Sequence, residues 1–241
     1  IREALEMRRR VLGDDHPHTV ASVAIYAVYL QEVGDFEGAL RQYEVALVRR
    51  RQAHGDDHPL YGSSLGRYGD LLREMGDLEG ARSALVQADG ILRAAYPGGH
   101  NRLAANTLMH AQLADAGGDA ALAESLYADA LSQYEALVAP DHPAIASALL
   151  YYGEFHTRQG ELGAGETALR RAVAIWSGRR SERNWRLGAA QSALGDNLGR
   201  QKRCDASTAL LEQGHATLLA VRGPADRYTR RAADRLASIC T

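Results

Sequence analysis

Apolar residues recur at helical spacing in two consecutive stretches, about Thr19 to Val33 and Phe36 to His54. The pair Gly34-Asp35 separates them. Glycine tolerates the left-handed conformation that ends a helix, and the acidic residue after it favours the start of the next. The segment Gly55-Asp56-Asp57-His58-Pro59 follows, with aspartates suited to capping and a proline suited to a helix's first turn. The pattern predicts a helical hairpin joined to its successor by a short polar connector.

The same pattern returns every 42 residues. Histidine stands at 16, 58, 100 and 142, followed by proline at His16, His58 and His142. The turn glycine stands at Gly34, Gly76, Gly118 and Gly160, each before Asp35, Asp77, Asp119 or Glu161. Small residues keep step in the first helix (Ala27, Gly69, Ala111, Gly153, Gly195) and in the second (Ala39, Ala81, Ala123, and Ala46, Ala88, Ala130, Ala172). Residues no larger than alanine at a crossing let helix axes approach closely, with Leu30, Tyr43, Leu72, Leu85, Tyr127 and Leu169 filling the space alongside. A repeat this regular has to be read before any local motif.

Alternating large and small apolar positions in the first helix, then alanine, a leucine or aromatic, and alanine in the second, resemble the tetratricopeptide repeat. The usual unit has 34 residues; the longer second helix and the GDDHP connector are similar to the kinesin-light-chain-like branch, found also in C-terminal regions of bacterial serine/threonine kinases and signalling ATPases. The resemblance implies an all-α fold, a right-handed superhelix of antiparallel helix hairpins over residues 1–241. Residues 1–15 read as the end of a repeat that begins upstream; 16–57, 58–99, 100–141 and 142–183 as repeats; 184–225 as a degenerate repeat; and 226–241 as a capping helix. In the degenerate repeat Lys202 replaces the turn glycine and Asn184 the connector histidine.

Composition narrows the function classes. Aromatics make up only 6% against 46% hydrophobic residues, which favours helices packed through small side chains over a sheet. The formal charge of -2 gives no global reason to expect nucleic acid, and no apolar run approaches the roughly 20 residues of a membrane span. With only Cys204 and Cys240 and no basic-apolar leader, a reducing, cytoplasmic setting is the expectation.

No nucleophile elbow, phosphate loop or HExxH helix is present, so neither catalysis nor a cofactor is expected. The periodic histidines lie too far apart to share a metal, about 15–20 Å by helix dimensions, and read as connector residues bonding nearby backbone. No metal site is predicted. Paired aspartates such as Asp56-Asp57 read as caps, and arginines at second-helix ends as offsets to the helix dipole.

In the family resembled, first helices line a concave groove that binds protein. Carried over residue by residue, the groove comprises Arg67, Asp70 and Arg73; Leu108, Met109 and Gln112; Leu150, Tyr151, Glu154 and Arg158; and Asp196 and Arg200. The asparagines with which kinesin-light-chain-like repeats clasp a peptide backbone are replaced by Ala24, Gly66, Leu108, Leu150 and Ser192, so a helix or a neighbouring domain anchored on Leu108, Met109, Leu150 and Tyr151 is an alternative occupant. The expected partner is a protein or peptide, including an upstream domain of the same polypeptide, whose catalytic domain would then be the regulated element. Asp70, as a groove residue, is expected to tolerate alanine without loss of stability.

Overall fold

The computed structural model describes residues 1–178 and 184–238. Twelve α-helices and no strand occur among these residues: α1 (Arg2–Leu12), α2 (Pro17–Val33), α3 (Phe36–His54), α4 (Pro59–Met75), α5 (Leu78–Ala95), α6 (Asn101–Ala116), α7 (Ala120–Leu137), α8 (Pro143–Gln159), α9 (Leu162–Ser177), α10 (Trp185–Arg200), α11 (Cys204–Arg222) and α12 (Arg227–Ala237). The chain forms two compact units, Ile1–Gln133 and Tyr134–Thr241. In each, even-numbered helices are the first helices of hairpins and odd-numbered helices the second.

Each hairpin closes at a crossing of small residues. A Cβ added at Gly69 of α4 would sit 3.1 Å from the Ala81 carbonyl of α5 and 3.0 Å from Leu85 Cγ; one added at Gly153 would meet Leu169 Cγ at 2.6 Å, and one at Gly195 would meet Leu211 Cγ at 2.7 Å. Ala27, Ala39, Ala81, Ala111 and Ala172 are fully buried. The expected packing register therefore holds, with leucines and tyrosines seated beside the crossings.

The connector histidines are N-caps. The Nδ1 of His16, His58, His100 and His142 accepts from the backbone N–H two residues on, at 3.1–3.2 Å, at the start of α2, α4, α6 and α8. The period continues beyond them: Asn184 Oδ1 caps α10 through the N–H of Leu187, and Asp226 Oδ1 caps α12 through that of Tyr228. Three side-chain types do one task, satisfying a first-turn donor that has no intrahelical partner.

The turns within hairpins keep their geometry even where glycine is lost. Gly34, Gly76 and Gly160 adopt φ of 83–89°, and Lys202 holds the equivalent place at φ 62°. The bonds match too: Gly34 N–H to Gln31 and Asp35 N–H to Leu30 in the first hairpin, Lys202 N–H to Gly199 and Arg203 N–H to Leu198 in the last.

Within each unit, successive hairpins meet at a seam, and the residues at its equivalent positions change along the chain. The guanidinium of Arg8 donates to the Ser22 hydroxyl, and that of Arg50, one period later, to the Ser64 hydroxyl. At the corresponding later positions stand Leu92, Tyr134, Trp176 and Leu218, all buried.

Two predictions follow from the caps and turns. Burial, then His54, Arg102 and Arg50, hold the His58 imidazole below its ordinary range, and burial does the same to His110. The unfolded chain therefore takes up these protons at higher pH than the folded one. Stability is complete above the unfolded value of about 6.5 and declines as pH falls through the folded values. Thermal melts should show this decline, and His58→Asn, which keeps an acceptor as Asn184 does, should remove part of the slope and leave that of His110; an unaltered slope would exclude His58 as a contributor. Lys202→Gly should stabilise the chain by about 1 kcal/mol in chemical denaturation, because a Cβ is disfavoured in the left-handed region; a loss of stability would mean that lysine's contacts outweigh its backbone strain.

Candidate functional site

In the first unit, α4 presents its residues in two different ways. Arg67 is exposed. Asp70, Arg73 and Glu74 are half-buried and belong to a network: Asp70 Oδ1 accepts from Arg73 Nε and Nη2 at 3.0 and 2.7 Å, and Asp70 Oδ2 accepts from Gln31 Nε2 of α2 at 2.9 Å. Gln31 Nε2 also reaches Glu74 Oε2 at 3.3 Å, and its Oε1 accepts from the Tyr43 hydroxyl of α3 at 3.0 Å. Burial drives the Tyr43 phenol's pKa upward, which keeps it a donor. The network ties three helices together, a role invisible at any one position because its members lie 39–43 residues apart.

Leu108 corrects the expected register. It is 7% exposed and belongs to the core, as Ala24 at 9% and Ser192 at 1% do two periods before and after it. Side chains at this position turn toward the neighbouring helix. One residue on, the place is outward in the first two hairpins, where Ile25 is 56% exposed and Arg67 is exposed; Met109 and Tyr151 are half-buried there, and Ala193 is buried. Gln112 and Leu150 are half-buried. Of the first helices of the first unit, α2 therefore exposes Ile25 and Tyr29, whereas Leu108 of α6 is buried.

In the second unit, Glu154 of α8 and Asp196 of α10 meet arginines of α12. Glu154 Oε1 accepts from Arg235 Nη2 at 2.7 Å and lies 3.2 Å from Arg231 Nη2. Arg235 also donates to Ser192 Oγ at 3.2 Å, while Asp196 lies 3.4 Å from Arg200 Nε. Burial raises the Glu154 carboxyl's pKa, but Arg235 and Arg231 outweigh it and hold the group below its ordinary range. A cavity of about 280 Å³ opens here, with Arg158 and Arg200 on its wall. Arg231 and Arg235 were not foreseen; a first-helix phase extended to α12 places both beside the groove positions of α8 and α10.

Cys204 is disulfide-bonded, and Cys240 lies outside the described residues. Among the described residues no helix is long and apolar enough to cross a membrane.

The Asp70 network makes a stability prediction. Asp70→Ala removes a two-pronged ion pair and one acceptor for Gln31 in a half-buried setting, and should cost about 1–3 kcal/mol in a thermal or denaturant melt. A change near zero would restore Asp70 to the set of tolerant surface residues.

A tetratricopeptide repeat model matches residues 20–94, and a second tetratricopeptide repeat model matches residues 1–18. Among curated proteins no significant match is found. Of solved structures, the nearly identical TPR-like repeats of a putative kinesin light chain from Podosopora anserina superpose with a TM-score of 0.59 at 18% identity, covering 86% of this chain and 98% of that one. A Rap protein complexed with competence and sporulation factor gives 0.71 at 14% identity over 90% of this chain and 63% of that one. A signal transduction ATPase with numerous domains from Pyrococcus horikoshii, which carries a tetratricopeptide repeat sensor, gives 0.67 at 15% identity over 95% of this chain and 33% of that one. Tetratricopeptide repeat models thus match residues 1–18 and 20–94, the 42-residue period continues beyond them, and the fold is that of the kinesin-light-chain-like repeats that superpose on this chain.

Proposed function

We propose that the chain is a non-catalytic protein-interaction module, and that its first helices receive a segment of a partner protein. The observation that carries this reading is the outward row on the first unit, where Ile25, Tyr29 and Arg67 stand exposed on α2 and α4 while the neighbouring polar residues are committed to internal bonds. Exposed apolar and cationic groups on a rigid support suit recognition of another chain. The Rap protein of the same fold, solved in complex with a factor, supports it. In the first unit Met109 and Gln112 extend the proposed surface and Asp70 and Arg73 shape it from within; in the second, Tyr151, Arg158 and Arg200 offer a surface of their own, shaped from within by Glu154 and Asp196.

A second reading has its own support. The signal transduction ATPase carries its tetratricopeptide repeats as a sensor, and this chain spans a third of that protein's length. The partner segment would then be a domain of the same polypeptide, with activity elsewhere along it.

Site-specific photocrosslinking separates these outcomes. A crosslinker at Arg67 or Ile25 should give a discrete protein adduct, in trans or within the polypeptide, whereas one at Val48 on α3, also exposed, should not. Adduct yield should fall with added salt, since exposed charges are screened over about 8 Å at physiological ionic strength. Equal labelling from Val48, or none from the first helices, would overturn the proposal.

A further inference from the structure

The first unit gathers three arginines without giving any of them a carboxylate. Arg50 at the end of α3, Arg67 on α4 and Arg102 in the first turn of α6 have no ion pair among the described residues, whereas Arg49, Arg51, Arg73 and Arg93 each pair with an aspartate. Arg50 is held by neutral acceptors alone, the Leu60 carbonyl at 2.9 Å and the Ser64 hydroxyl. The cluster strains against itself: burial, then Arg102, then Arg67, depress the pKa of the Arg50 guanidinium.

Arg67 and Arg102 line one cavity of about 50 Å³, together with Ser63, Gly66, Asn106 and Met109. Gly66 leaves the space open, because a Cβ there would stand 2.8 Å from Asn106 Oδ1. Asn106 is 2% exposed; its Nδ2 donates to the Leu85 carbonyl at 3.3 Å, while its Oδ1 is buried and has no donor. An orphaned buried acceptor carries a cost that a bound N–H would relieve. The cavity thus offers excess positive charge and one unfilled acceptor, so it suits an oxyanion with an N–H donor close by.

Charge and size choose among oxyanions. A carboxylate offsets one of three guanidiniums, whereas a phosphoryl group carries about -1.5 to -2 and three acceptor oxygens that arginine forks can grip in pairs. One water needs about 10–15 Å³, so the cavity holds a compact group of a few heavy atoms and leaves the remainder of a ligand outside. We propose that this cavity binds the phosphoryl group of a phosphorylated serine or threonine in a partner segment, with Arg67 and Arg102 on its oxygens and Asn106 Oδ1 accepting a backbone N–H of that segment. Arg50 adds charge from behind. The proposal rests on the reading that the first helices receive a protein segment, and names a chemical mark on it.

NMR titration of the intact chain tests this with three small probes: N-acetyl-O-phosphoserine N-methylamide, the corresponding glutamate diamide and inorganic phosphate. The phosphoserine diamide should move the Asn106 side-chain amide and the Arg67 and Arg102 Nε signals. It should bind roughly tenfold tighter than either other probe. Arg67→Ala and Arg102→Ala remove side chains with no hydrogen bond or ion pair among the described residues, so both variants should fold, confirmed by unchanged circular dichroism, and each should weaken the diamide. Equal binding by the glutamate diamide would make this a carboxylate site, and equal binding by inorganic phosphate would make it a site for the free ion; either overturns the proposal. So does the absence of any shift, or binding unaffected by both variants. Crosslinking from Ile25 would stand in all these cases, so loss of the phosphoryl site is distinguishable from loss of the interaction module.

Discussion

Everything in this architecture depends on how near two helices of a hairpin can come. At Gly69, Gly153 and Gly195 the distance is set by backbone and leucine atoms that leave no room for a methyl group. Close approach brings the alanines of the second helix into contact with the first, and it also determines which side chains are squeezed outward. Residues next to a crossing either enter the seam between hairpins, as Leu108 and Ser192 do, or emerge one position later, as Ile25 and Arg67 do. The recognition surface is in this sense a by-product of packing.

Polar groups are arranged around that constraint in two layers. The inner layer joins Gln31, Tyr43, Asp70, Arg73 and Glu74 across three helices in the first unit, and Glu154, Ser192, Arg231 and Arg235 in the second. Mutually satisfied charges at partial burial hold the first helices in place. The outer layer is what remains uncommitted, and in the first unit it includes Arg67 and Arg102, which have no carboxylate partner among the described residues, with Arg50 behind them held by neutral acceptors.

Much of the fold was legible in the sequence because its cause is periodic. Helix ends, the glycine turns, the small crossings and the backbone-bonding role of the histidines all follow from residues repeated at a fixed step, and each has a local physical reason. The site was less legible. Asp70 reads as a surface residue until Gln31, one hairpin earlier, is found to donate to it, and the phase of Leu108 depends on the angle between neighbouring helices, which periodicity does not specify. Asp226 shows a milder failure: the cap position persists, but a search for histidine passes over it. Arg235 was missed for the same reason, since in α12 the repeat keeps its geometry after losing its spelling.

The seam between hairpins bears on how such an array comes apart. Where Arg8 and Arg50 meet serines, the joint is held by hydrogen bonds that water can replace one at a time; where Leu92, Tyr134, Trp176 and Leu218 stand, it is held by surface that must be wetted all at once. In a stack whose stability is a sum of nearest-neighbour terms, joints of the first kind are the ones that breathe. Within the first unit, the joints at Ser22 and Ser64 therefore open more readily than the one at Leu92, which makes its earliest hairpins the softest part of that unit.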